Sequence, residues 1–151
     1  PRIALLPLIV IWFGIDLGSK VAIVFLSAVF PILVNTMVGI RTVDRDFVKV
    51  ARSFGASDRQ LFMTVALPSS VPFLLTGLRL GLGHALIGIV VGEMYGATSG
   101  IGYMMAVAGS TFQTDRVMVG IIIIAASGMI MTQMLKMIEM RFEKWRVDSR
   151  G

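Results

Sequence analysis

Three largely uncharged apolar stretches are each long enough to form a membrane-spanning helix. They cover residues 19–40, 72–94 and 115–138. Because a helix needs about 20 apolar residues to cross the hydrocarbon core of a bilayer, we predict one span in each. Residues 2–14 are apolar but short and are interrupted by Pro7, which predicts a partial span. The pattern predicts an all-α fold, a polytopic bundle of transmembrane helices.

A polar stretch, residues 41–71, separates the first two complete spans and has the pattern of two short amphipathic helices. The apolar positions of the first helix recur at helical spacing and predict one buried face: Phe47, Val50, Ala51 and Phe54. Its basic positions lie on the opposite face: Arg45, Lys49 and Arg52. One side is therefore suited to burial and the other to water or a partner.

Local signals mark the ends of these two helices. Asp44 is placed to cap the first helix, and Gly55 supplies the left-handed residue that commonly closes one. Ser57 and Gln60 form a capping-box pattern that opens the second helix. The apolar pattern predicts that this second helix ends at Leu67–Pro68 and that the next span opens near Pro72.

Basic residues concentrate in residues 41–71 and in the C-terminal tail, whereas Lys20 and Arg116 lie at the opposite ends of the spans. The positive-inside rule places the loop of residues 41–71 and the tail of residues 139–151 in the cytoplasm. Residues 95–114 then form an external loop, and the apolar run from Ile101 predicts a short re-entrant or interfacial helix inside it.

Composition supports a membrane protein and excludes several classes of chemistry. Hydrophobic residues make up 56% of the chain, charged residues 15%, and the mean hydropathy is +0.84. The net charge of +5 does not indicate nucleic acid, because the basic residues follow membrane topology. There is no cysteine, one histidine and no metal-ligand spacing, so we predict no metal site. No phosphate-binding loop or hydrolase motif occurs, and we predict no cofactor and no catalytic residue.

Small residues recur every three or four positions along the second complete span, at Gly77, Gly81, Gly88 and Gly92. In lipid such a stripe lets helix backbones approach closely, so it predicts helix packing. A stripe that lines a moving pore is the alternative interpretation.

Isolated polar groups in the apolar runs are candidates for a substrate pathway: Asn35, Thr76, His84 and Glu93. An imidazole near mid-span needs a hydrogen-bond partner, which is either a neighbouring helix or a polar solute. Glu93 lies at the outer end of its helix, where the carboxylate either reaches water or has a functional role.

The central loop resembles the "EAA" loop of the permeases of binding-protein-dependent ABC importers. The matching positions are Ala51, Gly55, Ala56, Ser57, Val65, Leu67 and Pro68, while Lys49 and Val50 replace the Glu and first Ala of the pattern. Further segments are similar to the branch of that family that transports nitrate, sulfonates and taurine: residues 12–14, 30–36, 77–83, 92–94 and 100–104.

The resemblance implies a type I importer permease in a bacterial inner membrane. In that family the loop docks into an ATP-binding cassette subunit, which here assigns coupling to Phe47, Lys49, Val50, Ala51, Phe54, Gly55, Ala56, Ser57, Leu67 and Pro68. A second permease subunit, expected as a homodimer, and a periplasmic solute-binding protein complete the importer. Family members have about six spans, so we expect an N-terminally truncated chain. The rival hypothesis is a secondary transporter, or a small integral membrane enzyme, without an ATPase.

Overall fold

The computed structural model describes residues 2–15 and 17–142, and these residues form helices joined by short connections. A 3₁₀ turn, Arg2–Leu5, leads into the helices α1 (Leu6–Phe13), α2 (Leu17–Arg41), α3 (Arg45–Ser53), α4 (Asp58–Leu61), α5 (Leu67–Gly96), α6 (Ile101–Ser110) and α7 (Thr114–Phe142). Among these described residues, three stretches are long and apolar enough to cross a membrane: Leu17–Arg41, Asp58–Gly96 and Thr114–Arg141. The predicted all-α fold is confirmed.

An antiparallel pair of long helices, α2 and α5, forms the centre of the fold. A β-carbon added at Gly92 would lie 2.8 Å from Ile23 Cδ1, and one added at Gly39 would lie 2.7 Å from Phe73 Cβ. The start of α2 therefore contacts the end of α5, and the end of α2 contacts the start of α5. Glycine at these positions allows the backbones of α2 and α5 to approach closely, as is typical of helix packing in lipid.

The short helices α1 and α6 pack around the end of this pair where α2 begins. Leu6 and Ile9 of α1 form a small buried cluster with Ile23 of α2. Helix α6 lies against α5 at Gly102 and against α7 at Gly120, where an added β-carbon would overlap with Val90 O and the Met105 side chain respectively. Most apolar side chains of the three long helices are exposed within this chain, as expected when lipid or other helices surround them.

One sequence prediction is wrong: the helix that follows Ser57 does not end at Leu67–Pro68. The chain remains helical from Asp58 to Gly96, and no new helix opens at Pro72, which lies inside α5. Residues Phe62–Ala66 form a π-helical turn, in which the Leu67 N–H donates to Phe62 O. This wider turn comes immediately before Pro68, which has no N–H and whose ring would crowd the preceding turn of a regular α-helix. The helix therefore continues through Pro68.

Candidate functional site

Helices α3 and α4, with the turn between them, form a polar hairpin between α2 and α5. Local capping interactions stabilise this hairpin. The Asp44 side chain accepts a hydrogen bond from the Asp46 N–H. Ser57 and Gln60 form the reciprocal capping box, with Ser57 Oγ accepting from the Gln60 N–H and Gln60 Oε1 accepting from the Ser57 N–H. Gly55 has φ +77°, the left-handed conformation that glycine adopts without strain. The capping predictions for these helices are confirmed.

An ion pair also spans the turn that joins α3 to α4. An Arg52 guanidinium nitrogen lies 3.4 Å from Asp58 Oδ1, across the Gly55 turn. Both side chains are largely exposed, so the pair adds little stability on its own. A β-carbon at Gly55 would meet no atom within 4 Å, which means that the requirement for glycine there is conformational and not steric.

An apolar face at α3 is largely exposed within the chain. Phe47 is 57% exposed, Val50 is 55% exposed and Phe54 is 86% exposed. Two of these large apolar side chains lie on the short polar helix α3 and the third, Phe54, is its C-cap residue. Together they form a patch of a kind that soluble surfaces rarely leave uncovered. We name this set, Phe47, Val50 and Phe54, the α3 apolar face.

The remaining residues predicted to couple with an ATPase surround this face or follow it along the chain. Lys49 pairs with Asp46 at 2.8 Å on the polar side of α3. The others are half-buried or exposed and lie in α3, in the α3–α4 turn and at the start of α5: Ala51, Ala56, Ser57, Leu67 and Pro68. Because residues 58–96 form one continuous helix, α4 runs directly into α5 through the π-helical turn.

The predicted pathway residues Asn35, Thr76 and His84 each bond to the main chain of their own helix. Asn35 Nδ2 donates to Pro31 O at 2.8 Å and Thr76 Oγ1 donates to Pro72 O at 3.0 Å. His84 Nδ1 lies 2.8 Å from Leu80 O. The expectation that His84 must find its partner on another helix or on a solute is therefore wrong, because a carbonyl one turn earlier satisfies one ring nitrogen.

Glu93 differs from these three residues, because its carboxylate lies between three helices. The residue is only 9% exposed. Glu93 Oε1 accepts from Lys20 Nζ of α2 at 3.0 Å, and Glu93 Oε2 accepts from the Gly102 N–H of α6 at 2.9 Å. The carboxylate therefore does not extend into water. The sequence did not predict that Lys20 is the partner of Glu93, because the two residues are 73 positions apart.

The glycine stripe of α5 lies along α2. A β-carbon at Gly77 would lie 3.0 Å from Ile32 Cα, and one at Gly81 would lie 3.0 Å from Ala28 O. The Gly88 and Gly92 positions meet side chains of α2 in the same way. Backbone lies opposite backbone at the first two positions, which leaves no space for a side chain.

A second ion pair that the sequence did not predict connects α5 to α7. The Arg79 guanidinium contacts the Glu139 carboxylate, and the two residues are 60 positions apart. Arg79 lies near the middle of α5, whereas Glu93 of the Lys20–Glu93 pair lies close to its C-terminal end. Ion pairs thus connect α5 to α7 near its middle and to α2 near its C-terminal end.

Comparison with known proteins identifies the family. The family described as the binding-protein-dependent transport system inner membrane component matches residues 1–144. The chain belongs to this family. The family description is that of the membrane part of a transport system, and the three long apolar helices fit that description.

Individual members of the family are similar to this chain along almost all of its length. The chain is 40% identical over its full length to the putative aliphatic sulfonates transport permease protein of Bacillus subtilis, covering 55% of that protein. It is 37% identical over 96% of its length to the taurine transport system permease protein of Escherichia coli, covering 53% of it. The formylaminopyrimidine transport permease protein of Halalkalibacterium halodurans is 38% identical over 97% of the chain, which covers 58% of that protein. The chain thus spans about half the length of the curated permeases that it matches.

Proposed function

We propose that this chain is part of the membrane subunit of an ATP-driven importer, and that the α3 apolar face is where a separate ATP-binding cassette subunit docks. The observation that supports this role is the exposure of Phe47, Val50 and Phe54 on a capped helix outside the predicted spans. Amphipathic helices commonly insert such a face into a groove on a partner. The continuous helix of residues 58–96 would transmit movement of the hairpin into the membrane.

The solute that we propose is a small sulfonate, taurine or a related nutrient, because two of the relatives that resemble this chain along almost all of its length are named as permeases for aliphatic sulfonates and for taurine. A periplasmic solute-binding protein would deliver it, and a second permease subunit, as a homodimer in the bacterial inner membrane, would complete the pathway. The hairpin and the C-terminal end of the chain would face the cytoplasm, as the distribution of basic residues favours. ATP hydrolysis on the partner would drive alternating access by shifting populations of inward-open and outward-open states.

Replacing Gly55 with tryptophan tests the proposed coupling. The left-handed conformation costs about 1–2 kcal/mol for residues other than glycine, so we expect the α3–α4 turn to rearrange and the α3 apolar face to change its orientation. Uptake by the assembled importer should fall by about tenfold, as a loss of this size in coupling implies, while ATP hydrolysis continues. Gly55→Asn is the matched control, since asparagine tolerates this conformation, and it should retain uptake. Normal uptake by Gly55→Trp would contradict the coupling role.

Replacing His84 with alanine tests the proposed solute pathway. One imidazole nitrogen is already bonded to Leu80 O, which leaves the other ring nitrogen available to a polar solute. We expect weaker solute affinity, seen as a raised KM for uptake by vesicles, with normal assembly of the importer. Thr76→Val and Asn35→Ala are parallel tests of the other two candidates. An unchanged KM in His84→Ala would exclude His84 from solute contact.

A further inference from the structure

We infer that Glu93 and Lys20 are positioning residues that fix α6 against the α2–α5 pair. We name the group formed by the Glu93 carboxylate, Lys20 Nζ and the Gly102 N–H the clasp. Its members come from α5, α2 and α6, so one carboxylate connects three helices. Lys20 Nζ also donates to Ser99 O at 3.1 Å, which ties the connection between α5 and α6 to α2.

The start of α6 depends on the clasp for its capping. No side chain caps α6 at its N-cap residue, Gly100, although the first N–H groups of a helix need acceptors. Glu93 Oε2 supplies an acceptor to Gly102, and a carboxylate at this end of a helix is also favoured by the helix dipole. Glu93 thus performs the role of an N-cap from another helix.

The backbone around the clasp leaves space only for glycine. Gly100 has φ +121°, which other residues rarely adopt, and a β-carbon there would overlap with the Glu93 carboxylate. A β-carbon at Gly102 would overlap with Val90 O and lie 2.8 Å from Glu93 Cβ. The two glycines allow the start of α6 to surround the carboxylate closely, which is unnecessary if Glu93 only needs to reach water.

The burial of the clasp makes each partner depend on the other. The side chains of Lys20 and Glu93 are 22% and 11% exposed. Removing one partner of a poorly hydrated pair leaves the other charge without compensation, which is more costly than losing an exposed ion pair. Without the clasp, α6 would keep its contacts with α7 at Gly120 but lose its polar tie to α2 and α5. We therefore expect α6 to separate from the pair while α2 and α5 remain together.

Distance measurements between spin labels test this positioning role in the full-length permease in lipid vesicles, without ATP or a partner. One label pair, at Phe25 of α2 and Tyr103 of α6, reports on α6; a second, at Phe25 and Ile87 of α5, reports on the central pair. All three side chains are exposed within the chain. In Glu93→Ala we expect the docked population of the first pair to fall by at least about tenfold, because removing one partner of a poorly hydrated ion pair leaves the other charge uncompensated. The second pair should not change.

Conservative variants separate the acceptor role of Glu93 from its charge. Glu93→Gln keeps an oxygen that can accept from the Gly102 N–H, so it should give an intermediate distribution. The charge exchange Lys20→Glu with Glu93→Lys should not restore docking, since an ammonium at position 93 cannot accept a hydrogen bond. Asp115→Asn, which changes an exposed carboxylate on the first turn of α7, should have no effect.

Three results would overturn the inference. An unchanged α2–α6 distribution in Glu93→Ala would show that the clasp does not hold α6. Broadening of both label pairs would show that Glu93 stabilises the whole bundle and does not position α6. Full recovery by the charge exchange would show that only the ion pair matters. The distances do not depend on transport, so they stand even if the proposed importer function fails; an accompanying loss of uptake in Glu93→Ala rests on that function.

Discussion

Replacing Gly77 with leucine is expected to prevent α2 and α5 from packing. A β-carbon at this position would lie 3.0 Å from Ile32 Cα and 3.2 Å from Ile32 O, and main-chain atoms cannot move aside as a flexible side chain can. Overpacking of this kind destabilises by about 1–3 kcal/mol, and we expect the upper end because the obstruction is backbone. The measurement is the thermal stability of the purified full-length permease, together with the amount of folded protein in membranes.

Gly83→Leu is the matched control for this prediction. Gly83 lies on the same helix, and a β-carbon there would meet no atom of this chain within 4 Å. Leucine is a better helix former than glycine by up to about 1 kcal/mol, so the control should be neutral or slightly stabilising. Equal loss of stability in the two variants would show that helix α5 is sensitive to bulk all round and that the contact with Ile32 is not decisive.

Replacing Phe47 and Phe54 together with alanine is expected to abolish stable binding of the ATP-binding cassette subunit. The two side chains are largely exposed in the permease chain, so the fold should survive their truncation. Buried aromatic anchors at interfaces are often worth about 2 kcal/mol or more each, which corresponds to a loss of affinity of about 30-fold per ring. Co-purification of the ATPase with the permease, and uptake by vesicles, are the measurements.

Phe25→Ala is the control for the loss of ATPase binding. Phe25 is 63% exposed but lies within the long apolar helix α2, where a docking subunit outside the membrane cannot reach it. The control should bind the ATPase normally. If the double variant retained its ATPase and its transport rate, the α3 apolar face would not be the docking surface.

Local signals in the sequence predicted those features that depend on neighbouring residues. The Asp44 cap, the Ser57 and Gln60 capping box and the left-handed Gly55 each involve groups within three positions of one another. The long apolar runs likewise predicted helices of sufficient length to cross a membrane. These interactions depend on neighbouring residues, so a short stretch of sequence is enough to identify them.

The continuation of the helix through Pro68 could not be predicted in the same way. Pro68 resembles a helix stop, but the π-helical turn at Phe62–Ala66 lets the helix continue, and nothing in the local pattern distinguishes the two outcomes.

The clasp depends on residues that are distant in the sequence. It brings Lys20 together with Glu93 and Gly102 only because α2, α5 and α6 meet at one end of the bundle. A search for one acid and one base at the same predicted end of two spans could have suggested the pair, but not the N–H of Gly102.

Photo-crosslinking from position 54 is the most direct test of the proposal that the α3 apolar face docks an ATPase. A photoreactive amino acid would replace Phe54, which is 86% exposed, in the full-length permease within intact membranes that contain the complete transport system. The same residue placed at Phe25 in α2 serves as the control. The docking proposal predicts a crosslink to the ATP-binding cassette subunit from position 54 and none from position 25. Efficient crosslinking of position 54 to lipid or to another permease chain, with no ATPase product, would contradict it.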